Sequence, residues 1–204
     1  MSYSITRWNT AVAKPMIEAM VDAIEDVVTG VPDSRHTAAE DPAGAARSLA
    51  RKAATRAAAL SGALALPPGA IGMLTVLPDL VAIWRIQAQM VADIAGVYGR
   101  QVELTRTHMI YCLFRHAVSQ LARDVAVRAG ERLVIRQLSA SAMRGVLTGI
   151  GLTMTQRIAG SAASRWIPIA GAVAVAGYAY FDTWQVARTA IRLLDTPSLQ
   201  VRDD

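Results

Sequence analysis

The sequence has little of what most catalytic and secreted proteins depend on. Its single cysteine, Cys112, excludes an internal disulfide and a cysteine-based zinc cluster, and fits a reducing compartment. Aromatic residues make up 5% of the chain and charged residues 18%, against about a quarter charged in average soluble proteins. Glycine-rich nucleotide loops, a nucleophile elbow and an HExxH motif are all missing. No catalytic residue and no cofactor are therefore predicted.

Apolar residues are what the sequence has in abundance. They make up 53% of the 204 residues, and the mean hydropathy is +0.30. A chain of this length fits one domain, which must either bury an unusual share of its surface or cover it with lipid or a partner. The N-terminus lacks an apolar stretch behind a basic start, so no signal peptide is predicted. We therefore expect the chain to stay on the cytoplasmic side.

Apolar residues recur at spacings of three and four, and a period-2 alternation is not evident, so an all-α fold is predicted. We expect a single bundle of five or six helices with apolar Gly/Ala-rich hairpin segments. The first helix is predicted to open at Pro15 and to stop at Gly30, and Asp41-Pro42 should cap a second helix that ends near Leu66. The predicted parts are an N-terminal helix with an exposed linker (1–41), a helical domain (42–195) and a C-terminal tail (196–204).

A third helix, over residues 77–98, is predicted to be central and to be ended by Gly96 and Gly99. It is apolar on two faces, which indicates burial on most of its circumference. Between the two faces runs a polar line of Arg85, Gln89 and Asp93, each one turn from the next. We expect a hydrogen-bonded seam inside a helical core, in which Gln89 bridges an arginine and a carboxylate. The alternative is a wet path, or a binding site for an ion or headgroup, if this helix lies in lipid.

The fourth predicted helix, over residues 105–129, carries His108, Cys112 and His116 at four-residue spacing. These are metal-ligand types, but the outer two lie about 12 Å apart along a helix, so one ion cannot take all three. The triplet also falls away from the apolar stripe of this helix. We expect a solvated or partner-facing row, with a metal-dependent enzyme using these residues as an alternative. A fifth helix is predicted from about Glu131.

Basic residues form two rows beside uncharged segments. The net charge is +5, and Arg supplies 19 of the 21 basic residues. Spacing by four places each row on one helix face, a pattern typical of anchors that meet anionic lipid. The few aromatic residues do not interleave with the arginines as stacking on nucleic acid requires, so no nucleic acid partner is predicted. The first row is Arg47, Arg51, Lys52 and Arg56, and the second is Arg128, Arg132 and Arg136.

Two uncharged stretches approach the length of a membrane span. Residues 57–78 form a run of 22, where a span needs about 20, but Pro67-Pro68-Gly69 should break the helix into a bent or re-entrant hairpin. Residues 166–181 form a helix of about 24 Å, shorter than a hydrocarbon core of about 30 Å. We expect this second segment either to insert partly or to be buried in the bundle.

Residues 77–80 read LPDL, residues 94–99 read IAGVYG, and residues 166–173 read WIPIAGAV. These three short motifs resemble those of the EcsC protein family. The resemblance covers residues 45–195, and the middle motif is also similar, more weakly, to the membrane-associated helical tails of Era-like GTPases. The resemblance to the EcsC family implies a helical, membrane-associated bacterial protein with no agreed catalytic residues.

The sequence as a whole predicts a membrane-associated helical protein that binds lipid or a membrane protein and performs no catalysis. We expect it on the cytoplasmic side of the membrane, peripheral or partly inserted, and a homo-oligomer is among the expected assemblies. A soluble helical oligomer or adaptor is the alternative from a different class.

Overall fold

The computed structural model describes residues 3–64, 76–115, 126–129, 132–135, 139–161 and 168–195. Six α-helices dominate this part of the chain, and the predicted helical class is confirmed. A short 3-10 turn at Gln101–Glu103 and a two-stranded hairpin complete the described elements. The helices are α1 (Tyr3–Thr29), α2 (Pro42–Leu64), α3 (Val76–Val97), α4 (Arg106–Phe114), α5 (Ala140–Ser161) and α6 (Pro168–Leu194).

Helix α3 lies at the centre, as predicted. Helices α2 and α6 pack along each other and against α3, while α1 packs against α3 and α5. A side-chain carbon added at Gly62 would lie 3.4 Å from Ala176 Cβ, so the end of α2 meets the first half of α6 and the two helices are antiparallel. Leu60 and Leu77 line one groove, which brings the start of α3 to the same end of the bundle.

A Schellman motif ends α3. The amide of Arg100 donates to the carbonyl of Ala95 at 2.8 Å, and the amide of Gly99 donates to Gly96 at 2.9 Å. Gly99 adopts φ +68°, a conformation that a residue without Cβ takes at little cost. The local sequence therefore stops the central helix where glycine was expected to stop it.

Residues 31–40, here called the strap, cross the last turns of α3. Most strap side chains are exposed, as predicted, but the strap backbone is held in place. The amide of Ala39 donates to the carbonyl of Val97 at 2.9 Å, and the Gln101 side chain donates to the carbonyl of Pro32 at 3.1 Å. The strap is thus a packed part of the bundle and not a free linker.

The predicted start of the first helix is wrong. Helix α1 begins at Tyr3 and contains Pro15 in its interior. Proline lacks an amide hydrogen, so this position costs the helix one hydrogen bond without ending it.

The predicted helices on either side of Gly130 are also wrong. Residues Ala126–Ala129 and Arg132–Ile135 are antiparallel strands, with Ala129 paired to Arg132. Val127 of the first strand and Val134 and Ile135 of the second are β-branched residues, which favour strands, especially on either side of a glycine. The spacing of apolar residues in these segments also fits a helix, so spacing alone did not predict this short hairpin.

Candidate functional site

Five large apolar side chains are exposed on the first half of α6, and no charged residue lies between them in the sequence. Most apolar residues of the second half of the helix are buried in the core, whereas Val173 is 69%, Tyr178 61% and Phe181 59% exposed. Isolated exposed apolar residues are ordinary, but a contiguous group indicates a surface that contacts a partner or a membrane. We call the group the apolar face of α6, and its members are Val173, Val175, Tyr178, Tyr180 and Phe181.

The outer side of α6 changes from apolar to basic along its length. Ala174, Phe181 and Arg188 are exposed and seven residues apart, close to two helical turns, so they lie on one line. The single acid of this helix, Asp182, turns toward α3, where its Oδ2 accepts a hydrogen bond from Nε2 of the buried Gln87 at 2.7 Å. The outer line therefore carries apolar and basic groups.

The first predicted basic row is exposed along the first half of α2. Helix α2 contains no acidic residue, so this face is purely cationic. Because α2 and α6 are antiparallel, the basic half of α2 lies beside the half of α6 that carries Arg188 and Arg192, both exposed. The pair thus has an apolar end and a basic end. The exposed residues of the α2 row are Arg47, Arg51, Lys52 and Arg56.

The second predicted basic row does not lie on one helix. Arg128 is in the first strand, paired with Leu133, and Arg132 is in the second strand, paired with Ala129. Arg136 lies outside the described residues. The predicted helical face is wrong because these positions belong to an antiparallel hairpin.

Part of the predicted polar seam holds the strap on α3. Nε2 of Gln89 donates to Oδ1 of Asp93 and to the carbonyl of Asp33, both at 3.0 Å. The same Asp93 oxygen accepts the amide of Arg35 at 2.8 Å. Asp93 is 7% exposed, and these bonds satisfy a carboxylate that burial would otherwise penalise. This half of the seam is a structural latch.

Arg85 lies outside that latch. Its guanidinium forms an ion pair with Asp26 of α1 at 2.9 Å, and the two side chains are 66% and 65% exposed. Exposed ion pairs of this kind contribute about 0–1 kcal/mol. Gln89 therefore bridges the strap and Asp93, and not an arginine and a carboxylate as the sequence predicts.

His108 and Cys112 are buried, so the predicted solvated row is wrong for these two residues. The short helix α4 is enclosed, and residues 107–114 are all buried. Nδ1 of His108 accepts the amide hydrogen of Thr105 at 3.1 Å and completes a capping box. His116 lies outside the described residues, and within the described part no group of three His, Cys, Asp or Glu is placed to hold a metal.

Burial also determines the chemistry of the single thiol. It raises the pKa of Cys112 to about 12, against the smaller opposing effect of Arg115. Since the thiolate is the reactive form, we expect Cys112 in the native protein to react with a thiol reagent at pH 8 more than about a hundredfold slower than in denaturant. Timed alkylation followed by mass spectrometry checks this, and rapid native modification would show that α4 opens readily.

One described helix is long and apolar enough to cross a membrane. It covers Leu77–Val97, with a mean hydropathy of 1.3, and 61% of its apolar stretch is buried inside the protein. The core helix of a soluble protein has the same length and composition, so this property is weak support for a span. Of the predicted hairpin over 57–78, residues 57–64 belong to α2 and 76–78 to α3, and the residues between lie outside the described part.

No family model, curated protein or solved structure matches the chain. The similarity to the EcsC family therefore stays an expectation based on motifs. The functional argument rests on the surface of the α2–α6 pair.

Two basic residues of this surface, Arg188 and Arg192, were missed at the sequence level. They follow the uncharged segment of α6 instead of preceding it, and a pair of arginines spaced by four is a shorter pattern than the row on α2. The seven-residue spacing from Phe181 to Arg188 is the signal that could have revealed them.

Proposed function

We propose that the protein is a peripheral membrane protein that binds an anionic bilayer through the outer face of the α2–α6 pair. The observation that carries this proposal is the apolar face of α6 lying next to exposed basic residues on the same two helices. The ligand in this proposal is the bilayer surface.

The apolar face of α6 has the chemistry of an interfacial helix. Helices that lie at the boundary of headgroups and acyl chains carry large apolar residues on one side and basic residues beside them. Tyr178 and Tyr180 add the aromatic type that is enriched at this depth. Each buried apolar side chain of the size of Val173 or Phe181 would contribute about 1.5–3 kcal/mol at full burial.

The charge distribution supports an anionic partner. A basic residue near an anionic leaflet contributes about 1 kcal/mol, and the α2–α6 pair exposes several. Glu18, Asp22 and Glu25 are exposed on one side of a different helix, α1, whereas the described residues of α2 and α6 include no exposed acid, although Asp41 and Asp195 border these two helices. Electrostatic attraction would therefore turn the α2–α6 pair toward the lipid. The basic residues concerned are Arg47, Arg51, Lys52, Arg56, Arg188 and Arg192.

Flotation with vesicles tests the proposal, and two exposed valines provide a test variant and a matched control. Val173 on α6 and Val102 in the 3-10 turn are 69% and 98% exposed, so a change to Asp disturbs the fold little at either site. We expect Val173→Asp to lower the partition coefficient about tenfold, because an apolar contact with lipid becomes a buried charge. Val102→Asp should float like the unchanged protein.

The basic residues are tested in the same assay by lipid composition. The unchanged protein should float with vesicles that contain anionic phospholipid and much less with purely zwitterionic ones. Arg51→Gln with Lys52→Gln should weaken flotation and reduce its salt dependence. Failure to float with either vesicle, together with a discrete oligomer in light scattering, would favour the soluble oligomer instead.

A further inference from the structure

We infer that α6 lies in the plane of the membrane and penetrates one leaflet only, with the line Ala174–Phe181–Arg188 facing the lipid. This inference rests on the proposed function and adds to it the orientation of the bound protein. An in-plane helix and an end-on helix use the same apolar residues but place them at different depths.

One side of α6 is buried against the other helices from Ala172 to Leu194. Ala179 is 3% exposed, and Thr183 and Val186 are fully buried, on the side that packs against α2 and α3. Lipid can therefore reach α6 only from the outer side. Ala174, Phe181 and Arg188 run along the middle of that side over about 21 Å.

An end-on pose would bury the wrong groups. The part of α6 that precedes its first charged residue is about 20 Å long, shorter than a hydrocarbon core of about 30 Å, so it cannot cross the bilayer. In the sequence Arg165 precedes Pro168 by only three residues, so an end-on pose would also require a charge close in the chain to the deepest residue of the helix. Charge at that depth is costly, whereas an in-plane helix keeps both ends at the headgroups.

The one acid of α6 does not oppose the in-plane pose. Asp182 directly follows Phe181, the middle residue of the line, but its carboxylate is held by Gln87 of α3. Gln87 is fully buried and also donates to Oγ1 of Thr183 at 3.2 Å, which fixes this side of α6 to the core. The negative charge therefore points toward the bundle while Phe181 points outward.

Depth-dependent quenching distinguishes the two poses. Ala174→Cys and Phe181→Cys, made separately, would each carry an environment-sensitive fluorophore, while the buried Cys112 stays unlabelled. The bound protein is then mixed with vesicles whose lipids carry quenchers at shallow or deep acyl positions. The in-plane pose predicts equal depths at the two positions to within about 3 Å. The end-on pose predicts that position 174 lies about 10 Å deeper.

The controls separate this inference from the proposed function. A label at Val102→Cys should show no vesicle-dependent emission change, and flotation of each labelled protein reports binding itself. Binding with a depth difference near 10 Å overturns the in-plane pose alone. Binding without any emission change at positions 174 and 181 also overturns it, and shows that another surface contacts the lipid. Absence of binding overturns the proposed function.

Discussion

Between pH 7 and pH 4, His108 alone should lower the free energy of unfolding by about 3 kcal/mol. Burial is the largest cause that lowers the pKa of His108, from 6.5 to about 4, and Arg100 acts in the same direction while Glu103 opposes it. Each unit of pKa difference between the folded and unfolded states corresponds to about 1.4 kcal/mol. The neutral ring also accepts the amide hydrogen of Thr105 through Nδ1, a bond that protonation of this nitrogen removes.

The direction follows from proton binding. Between pH 6.5 and about 4 the unfolded chain protonates His108 and the folded chain does not, so acid favours unfolding. The contribution is complete above pH 6.5 and is lost as the pH falls toward 4. Urea titrations from pH 4 to pH 7 measure it.

Two histidine variants separate this effect from general acid denaturation. His108→Gln keeps an acceptor for the capping box but cannot be protonated. Between pH 7 and pH 4, its free energy of unfolding should therefore fall by about 3 kcal/mol less than that of the unchanged protein. His36 is exposed, and His36→Gln should retain the full pH dependence. Identical pH profiles for His108→Gln and the unchanged protein would contradict a buried neutral imidazole.

Replacement of glycine by alanine should lower the stability of the protein at one helical position, Gly96, and raise it at another, Gly145. A Cβ at Gly96 would collide with Oγ of Ser34 and with the carbonyl oxygen of His36, so the strap must move. Overpacking of this kind costs about 1–3 kcal/mol, and displacement of the strap also weakens the bond from Arg35 to Asp93. We expect Gly96→Ala to lower the free energy of unfolding by about 3 kcal/mol.

Gly145 in α5 is the matched control. A Cβ added there meets no atom within 4 Å, and alanine is favoured over glycine inside a helix by about 1 kcal/mol. Gly145→Ala should therefore raise the urea midpoint, while Gly96→Ala lowers it. Ser34→Gly in the Gly96→Ala background should restore part of the loss. Equal stability of the two single variants would show that the strap does not pack on α3.

The central helix could be predicted because its signals are local. Apolar residues on two faces indicate burial, and Gly99 marks the end of α3, so burial and termination follow from neighbouring residues. The strap could not be predicted in the same way. Its bonds join Arg35 to Asp93 and Ala39 to Val97, pairs that lie far apart in the sequence. Only the packed fold brings them together.

The errors have physical causes of the same kind. Helical periodicity cannot distinguish a short β-rich hairpin from a helix when the segment is brief, so Arg128 and Arg132 were assigned to one face. His108 and Cys112 lie away from the apolar stripe of the predicted helix, yet neighbouring elements enclose α4 from residue 107 to residue 114. Burial from all sides is a tertiary property that a helix pattern does not contain.

The candidate surface was predicted in composition but not in geometry. The uncharged segment that ends at Phe181 and the basic row of α2 are both visible in the sequence. Their arrangement depends on the antiparallel packing that brings Gly62 to Ala176. That packing places the two basic halves together and leaves the apolar face of α6 exposed.

Fractionation of cells that produce the unchanged protein tests the membrane proposal most directly. After lysis and ultracentrifugation, we expect the protein in the membrane pellet, and a fraction should remain there after a carbonate wash because apolar side chains of α6 enter the leaflet. Complete recovery in the supernatant before any wash, as a monomer without detergent, would contradict the account.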